Sequence, residues 1–257
     1  MARRDPTLTS LLELLDVATA LGRHAEILSG EAGQCGSGVL AQRPALAAAV
    51  MLLAGRVEDA TALLGAEDHL YGWDRHPATV VIPFLLVAAS SAHQHPQWRY
   101  LLLFEQMDRA NLAGRRHGDY HPESDHALRA LDEAVSTGSA GQRYHGIDRD
   151  HLLLSSLLVG TLDTPPPPAR RRRWLETARG YVDARVDLVV GGQHRPGYRD
   201  VAHLAAGYAE ALWLTRDQEA ARESIDGLHA RYRNHSSFRR ELRTHVSRSS
   251  LLADDGR

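Results

Sequence analysis

The chain has 257 residues, of which 43% are hydrophobic and 24% are charged, and its formal net charge is -2. This composition is typical of a soluble globular protein, and the absence of a positive excess argues against direct binding of nucleic acid or of an anionic membrane. The single cysteine, Cys35, excludes an internal disulfide framework and indicates a reducing compartment.

Neither the first residues of the chain nor its longest apolar run shows a pattern for export or for membrane insertion. The first residues carry two arginines without a following apolar segment, so we expect no signal peptide. The longest apolar run, residues 80–89, is interrupted by Pro83 and is much shorter than the roughly 20 residues of a spanning helix. We therefore expect a cytoplasmic protein without membrane attachment.

Apolar residues recur at helical spacing along most of the chain, which predicts an all-α fold. The nearly uncharged residues 78–92 predict a helix that is buried on all sides and central to the fold, with Pro83 in its first turn or at a kink. A short strand at residues 80–82 is the alternative. The predicted helices cover residues 10–30, 44–54, 57–64, 78–92, 96–112, 125–135 and 148–162, followed by four more between residues 174 and 246.

Two joints between predicted helices share one sequence pattern, at residues 52–60 and 212–220. In each joint an apolar helix ends, an arginine marks the turn, acidic residues open the next helix, and an alanine allows close approach of the two helices. The pattern pairs Arg56 with Arg216. It is typical of a tetratricopeptide-like hairpin, a repeat built from two antiparallel helices.

The repeated joint leads to a prediction for the whole architecture. We expect a right-handed α-solenoid of antiparallel helix hairpins that forms a single domain over residues 1–252. The proline-rich residues 163–168 are a possible spacer between two domains, and residues 253–257 are predicted to be a disordered tail.

A family resemblance involves the last third of the chain. There, Gln193-His194-Arg195 is followed by Tyr198 and, after a hairpin, by the arginine- and aromatic-rich residues 230–235 and 238–242. This arrangement resembles the C-terminal helical region of bacterial proteins with a SWIM-type zinc finger, and it implies a helical module that serves as an interaction surface. The finger itself needs cysteine and histidine ligands, and with Cys35 alone it does not form. Its nucleic-acid role is therefore not carried over.

Histidine is unusually frequent, with 15 residues, and one cluster deserves the first test for metal binding. His117, His121 and His126 lie within ten residues that also contain three carboxylates, and such a set can bind zinc if the side chains converge. No helical H-E-x-x-H spacing is present. We expect a solvated loop without metal or cofactor, with a metal site or a pH-sensitive contact as the alternatives.

Two other charged groups have a structural interpretation. Asp148 and Asp150 lie where acidic residues favour the start of a helix, and acid–base chemistry by Asp148 and His151 is the alternative. Four consecutive arginines at residues 170–173 are expected to form a solvated helix start, and phosphate contacts are the alternative.

The best candidate binding site is a turn between two predicted helices. Arginine contacts carboxylate or phosphate groups through two parallel hydrogen bonds, and an aromatic ring beside it can add packing. In the alternative interpretation, the tyrosine packs between helices and the arginines bind the carbonyl groups that end the preceding helix. The candidate residues are Gln193, His194, Arg195, Tyr198 and Arg199.

These observations favour a non-catalytic interaction scaffold that binds a peptide or helix of a partner protein on a concave helical surface. A metal-assisted hydrolase that uses the histidine-rich loops is one alternative, and an accessory protein of a nucleic-acid-associated complex is another. The sequence does not indicate an oligomeric state.

Overall fold

The structure is a computed structural model, and every regular element in its described residues is helical. The all-α class is thereby confirmed for this part of the chain. The structure describes residues 12, 43–65, 76–90, 98–99, 102–103, 106–107, 149–162 and 165–253. No helix among them is both long enough and apolar enough to cross a membrane.

The helices are named in chain order. The first four are α1 (Pro44–Leu53), α2 (Val57–Ala62) with a 3-10 turn at Leu63–Gly65, α3 (Ala78–Ala89) and α4 (Arg149–Gly160). They are followed by α5 (Pro168–Val186) with a π-helical extension at Asp187–Gly191, a 3-10 turn at Arg195–Gly197, α6 (Tyr198–Leu214), α7 (Gln218–Arg231) and α8 (Ser236–Arg248).

The chain divides into two compact units. One contains residues Met1–Phe84 and His95–Asp163, and the other contains Leu85–Gln94 and Thr164–Arg257. The break at residue 164 falls within the stretch predicted as a possible spacer. The arrangement as one solenoid domain stays a prediction.

Most predicted helices inside the described residues are present. The hairpin α1–α2 is confirmed, and every residue from 76 to 90 is buried, as expected for a helix that is apolar all round. Pro83 lies inside α3 and not in its first turn, and the alternative strand at residues 80–82 is wrong because these residues are helical. The predicted helix at residues 125–135 and the tail beyond residue 253 lie outside the described residues, as does all but residue 12 of the first predicted helix.

In the second unit, α6 is the helix on which the others pack. Twelve of its residues are buried, and it packs against α5, α7 and α8. Five of the twelve are alanine, whose short side chain lets neighbouring helices approach closely. The partner helices contribute larger apolar side chains, among them Phe238 and Leu242 of α8, which are both fully buried.

Helices α6 and α8 run parallel to each other. The ring of Tyr198, the first residue of α6, lies 6.1 Å from the ring of Phe238 near the start of α8. Further along, the imidazoles of His203 and His245 are 5.1 Å apart, and the Ser249 hydroxyl donates to Glu210 at 2.5 Å. The first turns of the two helices therefore lie side by side, at the same end of the unit.

The joint after α1 and the joint after α6 have the same backbone geometry. Gly55 and Arg216 both adopt left-handed conformations, with φ angles of 74° and 67°. The next N–H donates to the carbonyl five residues earlier, at 2.8 Å in the first joint and 3.2 Å in the second, which is the Schellman closure of a helix. The sequence pattern is right about the joints but displaced by one residue, because Arg216 occupies the position of Gly55 and not that of Arg56.

The same displacement applies to the alanine that packs at each joint. Ala60 of α2 is fully buried, and its counterpart in α7 is Ala221, which is 1% exposed. Ala220, the counterpart in the sequence pattern, is half-buried and donates its N–H to the side chain of Asp217. Asp217 is therefore the N-cap of α7.

Arg216→Gly is expected to raise the free energy of unfolding by about 0.5–1 kcal/mol, because glycine adopts the left-handed conformation without the steric cost that a side chain brings. Urea unfolding of the purified variant measures the change. Gly55→Ala is the matched control and is expected to lower the stability by about 1 kcal/mol. A shift of both variants in the same direction would contradict the shared geometry.

His229 of α7 is partly buried and lies within the electrostatic influence of two arginines of α8. Its Nδ1 atom is buried and has no hydrogen-bond partner among the described residues. Burial lowers the pKa of His229, the charges of Arg239 and Arg243 lower it further, and Asp226 opposes them. The folded state therefore favours the neutral imidazole.

We expect the stability to fall as the pH is lowered through about 6.5, because the unfolded chain then binds the His229 proton more readily than the folded one. In His229→Gln this part of the pH dependence is removed. Urea unfolding at about pH 7.5 and about pH 5 gives the loss of stability for each protein. If the loss is as large in the variant as in the wild type, His229 does not cause it.

Candidate functional site

The turn predicted as the binding site connects the end of α5 to the start of α6. It closes by the same Schellman geometry as the two joints, because Gln193 has a φ angle of 58° and the His194 N–H donates to the Val189 carbonyl at 2.8 Å. Gly197 packs directly on Val189, since a Cβ atom at residue 197 would lie 2.9 Å from a Val189 methyl group. The turn is thus fixed by its backbone and by close packing.

Part of this turn forms one wall of a groove whose other wall is α8. The groove has a volume of about 560 Å³. On the α8 side, its residues recur at helical spacing from Ser237 to Arg248, so they share one face of the helix. The α6–α8 groove is lined by Arg195, Tyr198, Arg199, Ser237, Arg240, Glu241, Thr244, His245 and Arg248.

Tyr198 fixes the two walls to each other. Its side chain is 5% exposed, and its ring meets the rings of Phe238 and His235 edge-on. The tyrosine hydroxyl lies 3.4 Å from His235 Nδ1. This packing is the structural role that the alternative interpretation gives to Tyr198, and it places the neighbouring Arg195 and Arg199 at the groove.

The arginines of the groove are poorly neutralised. Within the part of the chain that the structure describes, Arg195, Arg199 and Arg248 form no ion pair and their side chains donate no hydrogen bond. Arg240 has a carboxylate oxygen of Glu241 at 3.9 Å, and Glu241 is the single acidic residue in the lining. Four guanidinium groups therefore face one carboxylate.

The carbonyls at the end of the preceding helix do not use these arginines. They accept backbone N–H groups of Gly192, Gln193 and His194 in the closed turn. Among the described residues, neither Arg195 nor Arg199 donates a side-chain hydrogen bond, so neither binds those carbonyls in the structure.

A second group of polar contacts joins the end of α7 to the end of α5. Asp187 accepts hydrogen bonds from Arg231, at 2.5 Å, and from the hydroxyl of Tyr232. Burial and the hydrogen bond to Asp187 both raise the pKa of Tyr232, so its hydroxyl stays a donor. The Tyr232 ring also lies edge-on to Phe238, with ring centroids 5.5 Å apart. Tyr232 therefore links the end of α5 to the start of α8.

The groove divides the five sequence candidates into two groups. Arg195, Tyr198 and Arg199 line it, whereas Gln193 and His194 are exposed in the turn and are absent from its lining. Sequence reasoning names no residue of the α8 wall as a site candidate, although the family resemblance includes residues 238–242 in an interaction surface. The signal of this wall is the recurrence of polar residues every three or four positions along residues 237–248, opposite the buried Phe238 and Leu242 in an amphipathic helix.

The other candidates of the sequence do not add to this site. His117, His121 and His126 lie outside the described residues, and those that are described contain no group of three potential metal ligands. The four arginines at residues 170–173 form the first turns of α5, where Arg170 lies 6.0 Å from the ring of Trp174. They are separated from the turn by most of the length of α5.

A comparison of the chain with protein-family models, with curated proteins and with solved structures finds no match. The tetratricopeptide-like repeat and the SWIM-associated helical region therefore stay predictions. The case for a function depends on the groove.

The groove residues are expected to differ sharply in what they contribute to stability. Tyr198→Ala should lower the free energy of unfolding by about 3 kcal/mol, because it removes a buried aromatic ring from the contact between α6 and α8. Arg195→Ala should change it by no more than about 0.5 kcal/mol, because that side chain is exposed and has no ion pair or hydrogen bond with the described residues. Urea unfolding measures both changes.

Tyr198→Phe is the matched control for the aromatic ring. It keeps the packing and removes only the long contact to His235, so its stability should stay within about 1 kcal/mol of the wild type. A loss in Tyr198→Phe as large as that in Tyr198→Ala would show that the hydroxyl, and not the ring, holds the two helices together.

Proposed function

We propose that the protein is a non-catalytic interaction module that binds an acidic segment of a partner protein in the α6–α8 groove. The observation that carries this proposal is the set of arginines, from the turn and from α8, that share one groove with a single carboxylate. A partner that supplies anionic groups completes their electrostatic environment.

The positive charges of the groove favour an acidic partner. Like charges repel each other, and exposed arginines are usually placed so that acidic residues or water offset the repulsion. In this groove Arg195, Arg199 and Arg248 have no acidic partner among the described residues. Carboxylates of a bound segment would accept the guanidinium hydrogen bonds, with the forked geometry that arginine and carboxylate share.

The length of the groove favours a segment of polypeptide as the ligand. The α8 wall runs from residue 237 to residue 248, which corresponds to about 16 Å along a helix axis. An extended peptide covers that length with about five residues. The net charge of -2 for the whole chain disfavours a polyanion as large as nucleic acid, whereas a short acidic segment needs only the local positive groove.

In this proposal the groove belongs to the concave surface of a right-handed solenoid of tetratricopeptide-like hairpins. Support comes from the common backbone geometry of the α1–α2 and α6–α7 joints, which is the recurrence expected of repeated hairpins. Repeats of this kind commonly bind peptides or helices along one face.

The test is binding of a short fluorescein-labelled peptide rich in glutamate, measured by fluorescence anisotropy at low salt. The double variant Arg195→Gln with Arg199→Gln is expected to bind it at least about tenfold more weakly, because two charge-assisted hydrogen-bond donors are lost. Added salt should weaken the wild-type complex, since the contacts are largely electrostatic.

The matched control is Arg172→Gln with Arg173→Gln. It removes the same charge from the start of α5, about 25 Å along the helix axis from the turn. We expect the affinity of this variant to stay within about twofold of the wild type. Equal weakening by both double variants would indicate a nonspecific attraction to net charge and would contradict binding in the groove.

A further inference from the structure

We infer that the anionic group recognised by the α6–α8 groove is a phosphate monoester, carried as phosphoserine or phosphothreonine by the partner segment. This inference rests on the proposed function and makes it more specific. It is drawn from the number of cations in the groove and from the directions from which they reach it.

The charge of the groove exceeds what one carboxylate can neutralise. Four arginines and one glutamate line it, which leaves an excess of three positive charges. A side-chain carboxylate supplies one negative charge, whereas a phosphorylated residue supplies about 1.5 to 2 at neutral pH. Among single groups found on protein side chains, a phosphate therefore comes closest to this excess.

The placement of the cations also favours a tetrahedral anion. Arg195 comes from the 3-10 turn, Arg199 from the first turn of α6, and Arg240 and Arg248 from α8, so donors approach the groove from three elements. A carboxylate has two oxygens in one plane, whereas a phosphate monoester presents three terminal oxygens that point in different directions. Guanidinium groups on separate walls can each contact a different edge of the phosphate.

The hydroxyl groups of the lining are consistent with this assignment. Thr244 already donates to the Arg240 carbonyl at 2.9 Å. The Ser237 side chain has no hydrogen bond to any described residue and is free to donate to a phosphate oxygen. Glu241 lies half-buried beside Arg240 and is the one group in the groove that disfavours an anion.

The experiment compares three labelled peptides that differ at one central residue, which is serine, glutamate or phosphoserine. Wild-type protein is expected to bind the phosphoserine peptide at least about tenfold more tightly than the glutamate peptide, and the serine peptide most weakly. Inorganic phosphate should compete with the phosphoserine peptide.

The decisive double variant keeps the positive charge but removes the bidentate hydrogen-bonding geometry of arginine. In Arg195→Lys with Arg199→Lys, the ratio of the two affinities is expected to fall from about ten to about two, because lysine offers a point charge in place of a bidentate donor. Arg172→Lys with Arg173→Lys serves as the control and should keep the ratio of the wild type. The urea midpoint of each variant verifies that it is folded.

The outcomes separate the two proposals. Equal affinity for the glutamate and phosphoserine peptides would overturn the phosphate inference and leave the acidic segment standing. Absence of binding to all three peptides and to the glutamate-rich peptide would overturn both. A ratio unaffected by the lysine substitutions would place the phosphate elsewhere on the protein. Tighter binding of a single-stranded DNA of matched charge, dependent on Arg195 and Arg199, would replace the protein partner by a nucleic acid.

Discussion

The burial of α6 is the constraint on which the second unit depends. A helix that packs against three others needs short side chains on several faces, and the alanines of α6 meet that need. Because α8 packs along α6 in the same direction, the first turns of both helices come to one end of the unit. The groove follows from this arrangement, since the turn before α6 and the exposed face of α8 lie next to each other. A change in the packing of α6 would therefore alter the groove even without a change in any residue that lines it.

Closure of the turns by backbone hydrogen bonds is the second condition for the groove. At the end of α5 the last carbonyls accept N–H groups of the following residues, so no side chain is needed to satisfy them. Arg195 and Arg199 are then free of the structural task that basic residues often have at the end of a helix. The unfavourable free energy of this closure lies in the backbone, because Gln193 adopts a left-handed conformation that favours glycine. The closure of the turn therefore requires no charged side chain.

Sequence periodicity was sufficient for the helices and insufficient for the site. The spacing of apolar residues identified α5 to α8 because burial of one face imposes that spacing directly. The composition of the joint after α6 identifies it, but the predicted register is displaced by one residue. The left-handed position is set by the backbone, and the chemistry of Arg216 does not indicate that this residue occupies it. The residue types of Arg195, Tyr198 and Arg199 predict a binding site at the turn, without indicating that the site has a second wall.

The α8 wall is not predicted because arginines on an amphipathic helix have the same spacing whether they face water or a groove. Whether the arginines of α8 face water or the groove depends on the direction of α8 relative to α6.

The exclusive use of arginine in this chain has a consequence for control of the interaction. Every basic side chain other than histidine is a guanidinium, which stays charged throughout the physiological pH range. Acetylation, the common enzymatic route to remove a positive charge from a protein surface, acts on lysine and finds no target in this groove. In the proposed function, the arginines of the groove therefore keep a constant charge. The timing of binding would then depend on the enzymes that add and remove negative charge on the ligand.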